Sequence, residues 1–209
     1  MTHDNREAWL ADRTIGIGAS EAAVIMGCSS WQNASQLWEI KRGIRKAKNL
    51  DDVEYVQEGQ KAEPIIRAMF ELRHPQYKLT YRPYDMLFQT ERPWLYATLD
   101  GELEEIETGR KGILEIKRHE MGSRADRAEW NGKVPDHYFC QLCHQFLASG
   151  FDFAFLYAAL LYPDDSVSLK PYYFERVDCE DSMDAVLTAE TAFWESVQQG
   201  RMPATQLRL

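Results

Sequence analysis

The sequence predicts a mixed α/β (α+β) protein in which helices flank a mixed central sheet. Two observations predict this class. Apolar residues recur at helical spacing near both ends of the chain, and short stretches rich in β-favouring residues lie between them. The 209 residues, 44% of them hydrophobic, also contain no repeat and no Pro-, Ser- or Gly-rich linker. We therefore expect one domain over residues 1–209, with an N-terminal segment over about 1–50, a core over about 55–177 and a C-terminal helix over about 180–199.

Helices are expected in the first third of the chain. Ser20 is the expected N-cap of a short helix over residues 21–26, and a second helix is expected over residues 34–42. Residues 59–72 place apolar side chains at helical spacing. Glu63 then falls in the first turn of that helix, where the helix dipole alone would favour an acidic residue.

Short strands are expected in the middle of the chain. Residues 79–84, 86–89, 94–99 and 112–117 are rich in β-favouring residues. A meander is the simplest connection between these strands.

The last part of the chain predicts helices and strands in alternation. Pro135 and Gly150 bracket an amphipathic helix. Residues 153–161 predict a strand buried on both faces, and residues 167–177 predict a strand that pairs back with it after a turn. A final helix is expected over residues 180–199.

Composition limits the classes of protein. No N-terminal stretch combines basic residues with a long apolar run, and the longest apolar segment, residues 153–162, has about half the length that spans a bilayer. We therefore expect a soluble, cytoplasmic protein with no membrane partner. Cysteines are too few and too scattered for a secreted disulfide framework, and buried small hydrophobic residues are the best interpretation of all four. They are Cys28, Cys140, Cys143 and Cys179.

The segment from Cys140 to His144 also matches the attachment motif of a c-type haem. Covalent haem attachment of this kind requires an exported chain, and no signal peptide is recognised here. A thioredoxin-like cysteine pair would lie at a helix N-terminus, whereas this pair is expected in the middle of a helix. Neither chemistry is therefore predicted.

Net charge argues against a partner that is a polyanion. The formal net charge is -9, and DNA affinity comes mainly from Lys and Arg side chains that neutralise phosphates. The basic residues are nevertheless segregated into two groups, which permits a basic channel on an acidic body. The first group is Lys41, Arg42, Arg45, Lys46 and Lys48, and the second is Arg110, Lys111, Lys117, Arg118, Arg124 and Arg127. A solvated surface is an equally good interpretation of the first group.

Candidate catalytic residues lie at two predicted strand ends. Asp100 follows one apolar segment, and Glu115 and Lys117 lie in the next. Because side chains two residues apart share one face of a strand, Glu115 and Lys117 point the same way. Carboxylates of this kind suit Mg²⁺ or Mn²⁺, which polarise a phosphodiester and lower the pKa of an attacking water. A lysine beside that water would stabilise the developing charge.

These three residues alone do not decide the function. A Glu-x-Lys triplet arises by chance about once in a chain of this length. Asp100 with Gly101 is also a standard hairpin signal, and Glu115 with Lys117 could form a solvated strand face. From the constellation alone, both interpretations stay open.

The surrounding blocks resemble the lambda-exonuclease or YqaJ-type viral recombinase branch of the PD-(D/E)xK nuclease superfamily. The resemblance extends from about residue 9 to residue 150 and has five blocks in the same order. The blocks are Trp9, Arg13 and residues 16–23; Gly59 and Glu63; residues 98–101; residues 114–117; and Tyr138 with Gln141. The resemblance implies a PD-(D/E)xK restriction-endonuclease-like core.

The resemblance also implies a metal site with one or two Mg²⁺ ions, for which Mn²⁺ can substitute. Lys117 would activate the attacking water, with Gln141 nearby. The implied metal ligands are Asp100, Glu115, the backbone carbonyl of Ile116 and, for a second ion or its waters, Glu63.

Further residues would contact DNA if the resemblance holds. Arg13 and Ser20 match positions that hold phosphate groups near the cut, and Trp9 opens the segment that receives the DNA end. Thr98 keeps a hydroxyl where lambda exonuclease has serine. The arginine that would anchor a terminal 5′-phosphate is not placed by the pattern; the candidates are Arg42 and Arg45.

The implied function is digestion of one strand of a linear duplex from its end, processive and 5′ to 3′, leaving single-stranded 3′ overhangs for recombination by strand annealing. Implied partners are double-stranded DNA ends, two further copies of the chain in a homotrimer and a single-strand annealing protein, in a bacterial host carrying a phage or prophage. A PD-(D/E)xK endonuclease of restriction or junction type, or a non-catalytic DNA-binding recombination module, remains an alternative. Trp9 and Trp31 taken singly could also be core or half-buried surface residues.

Overall fold

The computed structural model describes residues 1–50 and 52–203, so residue 51 and residues 204–209 of the predicted domain lie outside the described part. The helices are α1 (Arg6–Asp12), α2 (Ala19–Ile25), α3 (Ala34–Lys41), α4 (Glu54–Arg73), α5 (Arg124–Glu129), α6 (Asp136–Ser149) and α7 (Glu180–Gln199). The strands are β1 (Ile17–Gly18), β2 (Tyr77–Thr80), β3 (Leu87–Phe88), β4 (Leu95–Ala97), β5 (Gly101–Glu105), β6 (Lys111–Glu120), β7 (Phe153–Leu161) and β8 (Val167–Glu175). Short 3₁₀ helices cover Arg13–Ile15 and Arg176–Cys179.

The strands form two sheets. The larger sheet has the order β2-β5-β6-β7-β8, and the smaller has the order β1-β4-β3. In the larger sheet, β6 and β7 are parallel and the other neighbours are antiparallel. Parallel neighbours need a crossover connection, and α5 and α6 supply it. The predicted mixed sheet flanked by helices is therefore confirmed.

The core fills both faces of β7, as its uninterrupted apolar sequence predicted. On one face Ala154, Leu156 and Ala158 pack with residues of α2 and α6. On the other face Phe155 and Tyr157 pack with apolar side chains of α4. The catalytic candidates on β6 lie next to this strand and are therefore held by the most buried part of the molecule.

Two helix starts differ from the prediction. Gly18, not Ser20, is the N-cap of α2, and the Glu21 carboxylate accepts a hydrogen bond of 2.9 Å from the Gly18 N–H. Ser20 is an exposed residue inside the first turn. Helix α4 begins at Glu54 after Val53, which supplies no side-chain cap, so no local signal marks its start. Glu63 consequently lies in the middle of α4 and not in its first turn.

The predicted meander is wrong. Residues 101–105, for which no strand was predicted, form β5 and pair with β6 on one side and β2 on the other. Their side chains alternate, with Gly101 and Leu103 buried. Strands β3 and β4 pair with each other in the smaller sheet. The expected strand over residues 167–177 ends at Glu175, where a 3₁₀ helix begins.

Three of the four cysteines are buried, as expected, but Cys28 is exposed. The helix that carries Cys140 and Cys143 is buried on most of its circumference, more than an amphipathic surface helix would be, because it packs under both α2 and α7. Trp31 is 61% exposed and does not belong to the core. Within residues 1–50 and 52–203, no helix combines the length and apolar character needed to cross a bilayer.

Candidate active site

Asp100 and Glu115 meet where β5 begins beside β6. Gly101 pairs with Leu114, so the preceding residue, Asp100, stands opposite Glu115. The Asp100 Oδ2 atom accepts a hydrogen bond of 2.8 Å from the Ile116 N–H. The two carboxylates therefore converge, and the strand that brings Asp100 there is β5 and not residues 94–99.

The main chain of β6 next to Asp100 also has no neighbouring β5 strand. Beyond Leu114 the strand has no β5 residue beside it. The N–H and C=O groups of one strand residue point to the same side of the strand. Because the Ile116 N–H points toward Asp100, the Ile116 carbonyl points to that side as well. An oxygen of the main chain thus lies near the two carboxylates.

The Glu115 carboxylate is buried and held by amide groups of α6. Its Oε1 atom accepts a hydrogen bond of 2.6 Å from Gln141, and its Oε2 atom accepts one of 2.5 Å from Gln145. The Lys117 ammonium lies 2.5 Å from Oε1. Gln141 was predicted at the site. Gln145 was not predicted, because the block of the resemblance that contains Tyr138 ends at Gln141. The spacing of one helical turn between Gln141 and Gln145 is the signal that could have identified Gln145.

Lys117 points into the same space as Glu115, as the strand period predicted. Its side chain is 18% exposed, and its Nζ atom donates a hydrogen bond of 3.1 Å to the Gln141 side chain. The ammonium also lies 4.9 Å from the centre of the Tyr138 ring. Burial opposes the charge, but Glu115 and Asp100 outweigh it and raise the pKa of Lys117 above its ordinary value. The lysine is therefore a fixed cation.

Glu63 approaches this group from α4 together with Arg67, which the sequence analysis missed. Arg67 pairs with Glu63 one helical turn away and donates a hydrogen bond of 2.7 Å from Nε to the Asp100 carbonyl. Its guanidinium stacks 3.6 Å from the centre of the Tyr81 ring. An acid and a base four residues apart on a helix were the available signal.

The three carboxylates influence one another electrostatically. Burial, followed by the charges of Glu115 and Glu63, raises the pKa of Asp100 well above its usual range. Burial also raises the pKa of Glu63, and Arg67 opposes that change. The site therefore concentrates more negative charge than its neighbours balance, which is the environment of a cation site.

The donor set fits a hard divalent cation. Carboxylate and carbonyl oxygens are the ligands that Mg²⁺ takes in proteins, and Asp100, Glu115 and Ile116 present them at one sheet edge. In the part of the chain that the structure describes, no three His, Cys, Asp or Glu side chains are grouped closely enough to hold a metal ion by themselves. The reason is visible in the contacts: Arg67 holds Glu63, and the amides of α6 hold Glu115.

A second group of predicted residues meets at Thr98. The Trp9 indole donates a hydrogen bond of 3.2 Å to the Thr98 hydroxyl, and the Arg13 guanidinium lies 4.7 Å from the Trp9 ring centre. Thr98 is two residues before Asp100. The structure therefore brings Trp9, Arg13 and Thr98 together.

The segment that carries Arg13 is tied to the smaller sheet. The Tyr96 hydroxyl donates a hydrogen bond of 2.9 Å to the Arg13 carbonyl. At Gly16 an added Cβ would lie 2.1 Å from the Trp94 carbonyl oxygen, so only glycine allows this approach. The Lys41 side chain, 2% exposed, donates to the carbonyls of Arg13 and Gly16 and pairs with Glu21. Lys41 is therefore a structural residue and not part of a basic channel.

The remaining DNA-binding candidates have other neighbours. Arg42 donates a hydrogen bond of 3.3 Å to the Val197 carbonyl, and Arg45 pairs with Glu39 at 2.5 Å. Ser20 is exposed in the first turn of α2. Of these residues, Arg42 is drawn toward the C-terminal end of α7, and Arg45, which follows α3, pairs back with Glu39 of that helix.

Sequence comparisons place this chain among known relatives. Residues 8–152 match the family described as the YqaJ-like viral recombinase domain. The chain is 28% identical over 204 residues to the uncharacterized protein YqaJ of Bacillus subtilis, an alignment that covers 96% of this chain. It spans 59% of the length of that relative.

The fold is shared with solved exonuclease structures. An alkaline exonuclease, LHK-Exo, from Laribacter hongkongensis superposes with a TM-score of 0.70 at 20% identity, over 93% of this chain and 94% of that one. A structure of LHK-Exo in complex with dAMP gives a TM-score of 0.68 at 20% identity, with the same coverage. A phage-related exonuclease from Haemophilus somnus gives 0.60 at 13% identity, over 88% of this chain and 96% of that one. At such low sequence identities, the structural similarity shows a shared fold.

Proposed function

We propose that this chain, which belongs to the family of YqaJ-like viral recombinase domains, is a metal-dependent exodeoxyribonuclease that digests one strand of linear double-stranded DNA. The observation that carries the proposal is the meeting of Asp100, Glu115 and Lys117 at one edge of the larger sheet. A related fold occurs in an alkaline exonuclease and in a complex of that protein with dAMP. Family membership supports a nuclease, and the site geometry supports hydrolysis of a phosphodiester.

The metal would be bound by four oxygen-bearing groups. Asp100, Glu115 and the Ile116 carbonyl would hold Mg²⁺, with Mn²⁺ as a substitute, and Glu63 would hold a second ion or its waters after leaving Arg67. When bound, the cation polarises the phosphodiester and lowers the pKa of a water. The hydrogen bonds from Gln141 and Gln145 would keep the Glu115 carboxylate correctly oriented.

Lys117 has the position and charge to act on the attacking water and the reacting phosphate. Its ammonium is fixed by Glu115, Gln141 and the face of Tyr138. It can donate a hydrogen bond to the water and orient it, and it can stabilise the charge that grows on the phosphate oxygens. No rearrangement of the strand is needed, because the side chain already lies beside the carboxylates.

The DNA end would be held by the N-terminal segment. Arg13, Ser20 and Thr98 would contact phosphates, and Trp9 would support Arg13 through the stacking contact. Arg42 and Arg45 stay the candidates for a terminal 5′-phosphate. We propose 5′-to-3′, processive digestion that leaves 3′ overhangs, a homotrimeric ring, an annealing protein as partner, and a cytoplasmic location in a host carrying a phage or prophage.

Digestion of labelled duplexes tests the proposed function. With Mg²⁺, a linear duplex labelled at one end should be degraded, whereas a covalently closed circle should survive, because an exonuclease needs an end. Asp100→Asn should abolish degradation while DNA binding in Ca²⁺ persists, since phosphate contacts distant from the ion remain. The matched control is Glu107→Gln, an exposed carboxylate in the turn after β5.

Each alternative function gives a different result in the same assay. Cleavage of the closed circle would identify an endonuclease. Binding of the linear duplex without Mg²⁺-dependent cleavage would identify a non-catalytic module. Comparison of 5′-phosphate and 5′-hydroxyl ends, labelled at either strand, determines the polarity. A wild-type rate in Asp100→Asn would refute the assignment of the site.

A further inference from the structure

Trp31 is a large aromatic side chain that is 61% exposed in a loop held in a fixed shape. The loop joins α2 to α3. The buried Ser29 hydroxyl accepts hydrogen bonds from the N–H groups of Trp31 at 3.3 Å and Gln32 at 3.2 Å. Exposure of the indole therefore does not result from a loosely held loop.

The same loop is docked on α6. Cys28 forms a hydrogen bond with Cys140, and burial together with this neighbour raises the pKa of Cys140 to about 12. The Cys140 thiol is therefore protonated at neutral pH. It fixes the loop against the helix whose side chains hold Glu115 and Lys117.

A chain of aromatic contacts links Trp31 to the candidate active site. The ring of Trp31 lies 5.6 Å from that of His137 and perpendicular to it. The ring centres of His137 and Tyr138 are 4.0 Å apart, and the Tyr138 ring centre lies 4.9 Å from the Lys117 ammonium. These three contacts limit the separation of Trp31 and Lys117 to the span of a few nucleotides, at roughly 3.4 Å per nucleotide along a duplex strand.

We propose that Trp31, supported by His137, is a stacking platform for a nucleobase of the DNA end bound at the active site. The proposal rests on the proposed function, because it requires DNA at Lys117. A perpendicular contact covers at most one face of the indole, so a face stays available to a base. Base stacking on aromatic side chains tolerates any sequence, which suits an enzyme that passes along DNA.

The surroundings of Trp31 favour a nucleobase over a protein partner. Its neighbours Ser30 and Asn33 are polar and exposed, as is Asp136 at the start of α6. A protein interface is centred on a contiguous apolar patch, whereas nucleic-acid sites place single aromatic rings among polar residues. Burial lowers the pKa of His137, so the supporting ring is uncharged at neutral pH and the platform acts through its aromatic faces.

Abasic-site scanning tests the platform. Blunt duplexes carrying one abasic site at successive distances from the end are bound in Ca²⁺ and followed by fluorescence anisotropy. Trp31→Ala should weaken binding of the intact duplex at least about fivefold, and Trp31→Phe should stay within about twofold of wild type. Ile106→Ala is the matched control, because Ile106 is 64% exposed and follows the end of β5 remote from Asp100.

The pattern of the scan is decisive. At one position, an abasic site should weaken binding of the duplex by the wild type. The same abasic site should not weaken binding by Trp31→Ala further, because the lost base and the lost ring belong to the same contact. Equal binding by Trp31→Ala and wild type, or an unchanged abasic pattern in the variant, overturns the proposal. A change of oligomeric state without a change of abasic pattern would instead identify Trp31 as a subunit contact.

Cleavage is measured separately, in Mg²⁺. If the wild type cleaves and Trp31→Ala behaves like it, the platform is refuted and the nuclease assignment stands. If the wild type shows the abasic pattern but no cleavage, the platform stands and the nuclease assignment fails.

Discussion

At the scale of single residues, Lys117 is the proposed catalytic cation, and its role in packing is secondary. Its ammonium is nearly enclosed, but its charge is balanced by Glu115 and Asp100, which lie beside it. Removing it should therefore affect the reaction more than the fold. We expect Lys117→Ala to lower kcat by roughly 10² to 10³, the usual effect of losing one group that stabilises a transition state.

Single-turnover cleavage, with circular dichroism and thermal unfolding of the same samples, measures this effect. Lys111→Ala is a suitable control, because Lys111 is an exposed lysine at the opposite end of the same strand. An insoluble or unfolded Lys117→Ala protein would mean that the lysine is a structural residue.

Arg67 is a positioning residue for both Asp100 and Glu63. It holds the Asp100 carbonyl and the Glu63 carboxylate at once, so its loss frees two groups of the proposed metal site. Arg67→Ala should raise the Mg²⁺ concentration needed for half-maximal activity by about 10- to 100-fold, the range seen when groups that orient metal ligands are removed.

Calorimetric titration of Mg²⁺ gives a second readout that does not depend on cleavage. Arg67→Lys should restore part of the effect, because lysine keeps the charge but not the two-pronged geometry. Arg73→Ala, on the exposed C-terminal turn of the same helix, is the control. Unchanged metal affinity in Arg67→Ala would assign the residue to packing alone.

Site residues could be predicted where the pattern that marks them lies within a few residues of sequence. Glu115 and Lys117 share a strand face, which the period of two gives directly. Asp100 was found, but through the wrong strand, because the alternation of residues 101–105 was hidden by acidic composition. Arg67 contacts the Asp100 carbonyl, and a contact to a backbone atom leaves no mark in the sequence; only the spacing of four residues between Glu63 and Arg67 was visible.

At the scale of elements, boundaries were predicted well where turn and cap residues mark them. Pro135 and Gly150 delimit α6 within one residue, and Gly150 adopts the left-handed conformation expected at a helix end. The start of α4 was missed because Val53 offers no cap. The pairing of β2 with β5, and of β1 with β4, depends on contacts distant in sequence and could not be read from local pattern.

Helices α6 and α7 and strand β4 are joined by a buried ion pair. His144 donates from Nδ1 to Glu190 at 2.6 Å and from Nε2 to the Tyr96 carbonyl at 2.8 Å. Both ring nitrogens can donate only when the imidazole is protonated. Burial opposes this charge, but Glu190, the Tyr96 carbonyl and Glu21 raise the pKa of His144 above its ordinary value.

A raised pKa in the folded state fixes the sign of the pH dependence. The stabilisation is fully present below the unfolded pKa of about 6.5 and is lost as the pH rises through the folded pKa. Glu190→Gln should therefore lower the free energy of unfolding by about 3–5 kcal/mol at pH 6 and by less at pH 9.

Urea unfolding at both pH values measures the difference. Glu195→Gln, an exposed residue on the same helix, should show little effect at either pH. An equal loss at both pH values would mean that His144 is already neutral in the folded protein at pH 6.

At the scale of the whole molecule, the net charge opposes the proposed DNA substrate. A chain with a formal net charge of -9 would hold a duplex weakly as a monomer, and Lys41 of the first basic group is buried. A ring of three chains would place three copies of the remaining basic residues around one channel. We expect light scattering at micromolar concentration to give three times the mass of the chain.

Processive digestion should accompany the ring. Once started on labelled duplex, digestion should continue after excess unlabelled trap DNA is added, because enclosed DNA does not exchange. The same trap added before the enzyme is the control and should suppress the reaction. A monomer with distributive digestion would refute the ring and leave the nuclease assignment intact.

The N-terminal segment is held by residues that are synthesised much later. The Met1 amino group donates to the Met86 carbonyl at 2.6 Å, Ile17 pairs with Leu95, and Trp9 bonds to Thr98. At translation rates of roughly 5–20 residues per second, these partners leave the ribosome about 4–18 s after the segment does. The N-terminal segment, which we propose contacts the DNA end, therefore cannot reach its folded position on a nascent chain that is shorter than these partners.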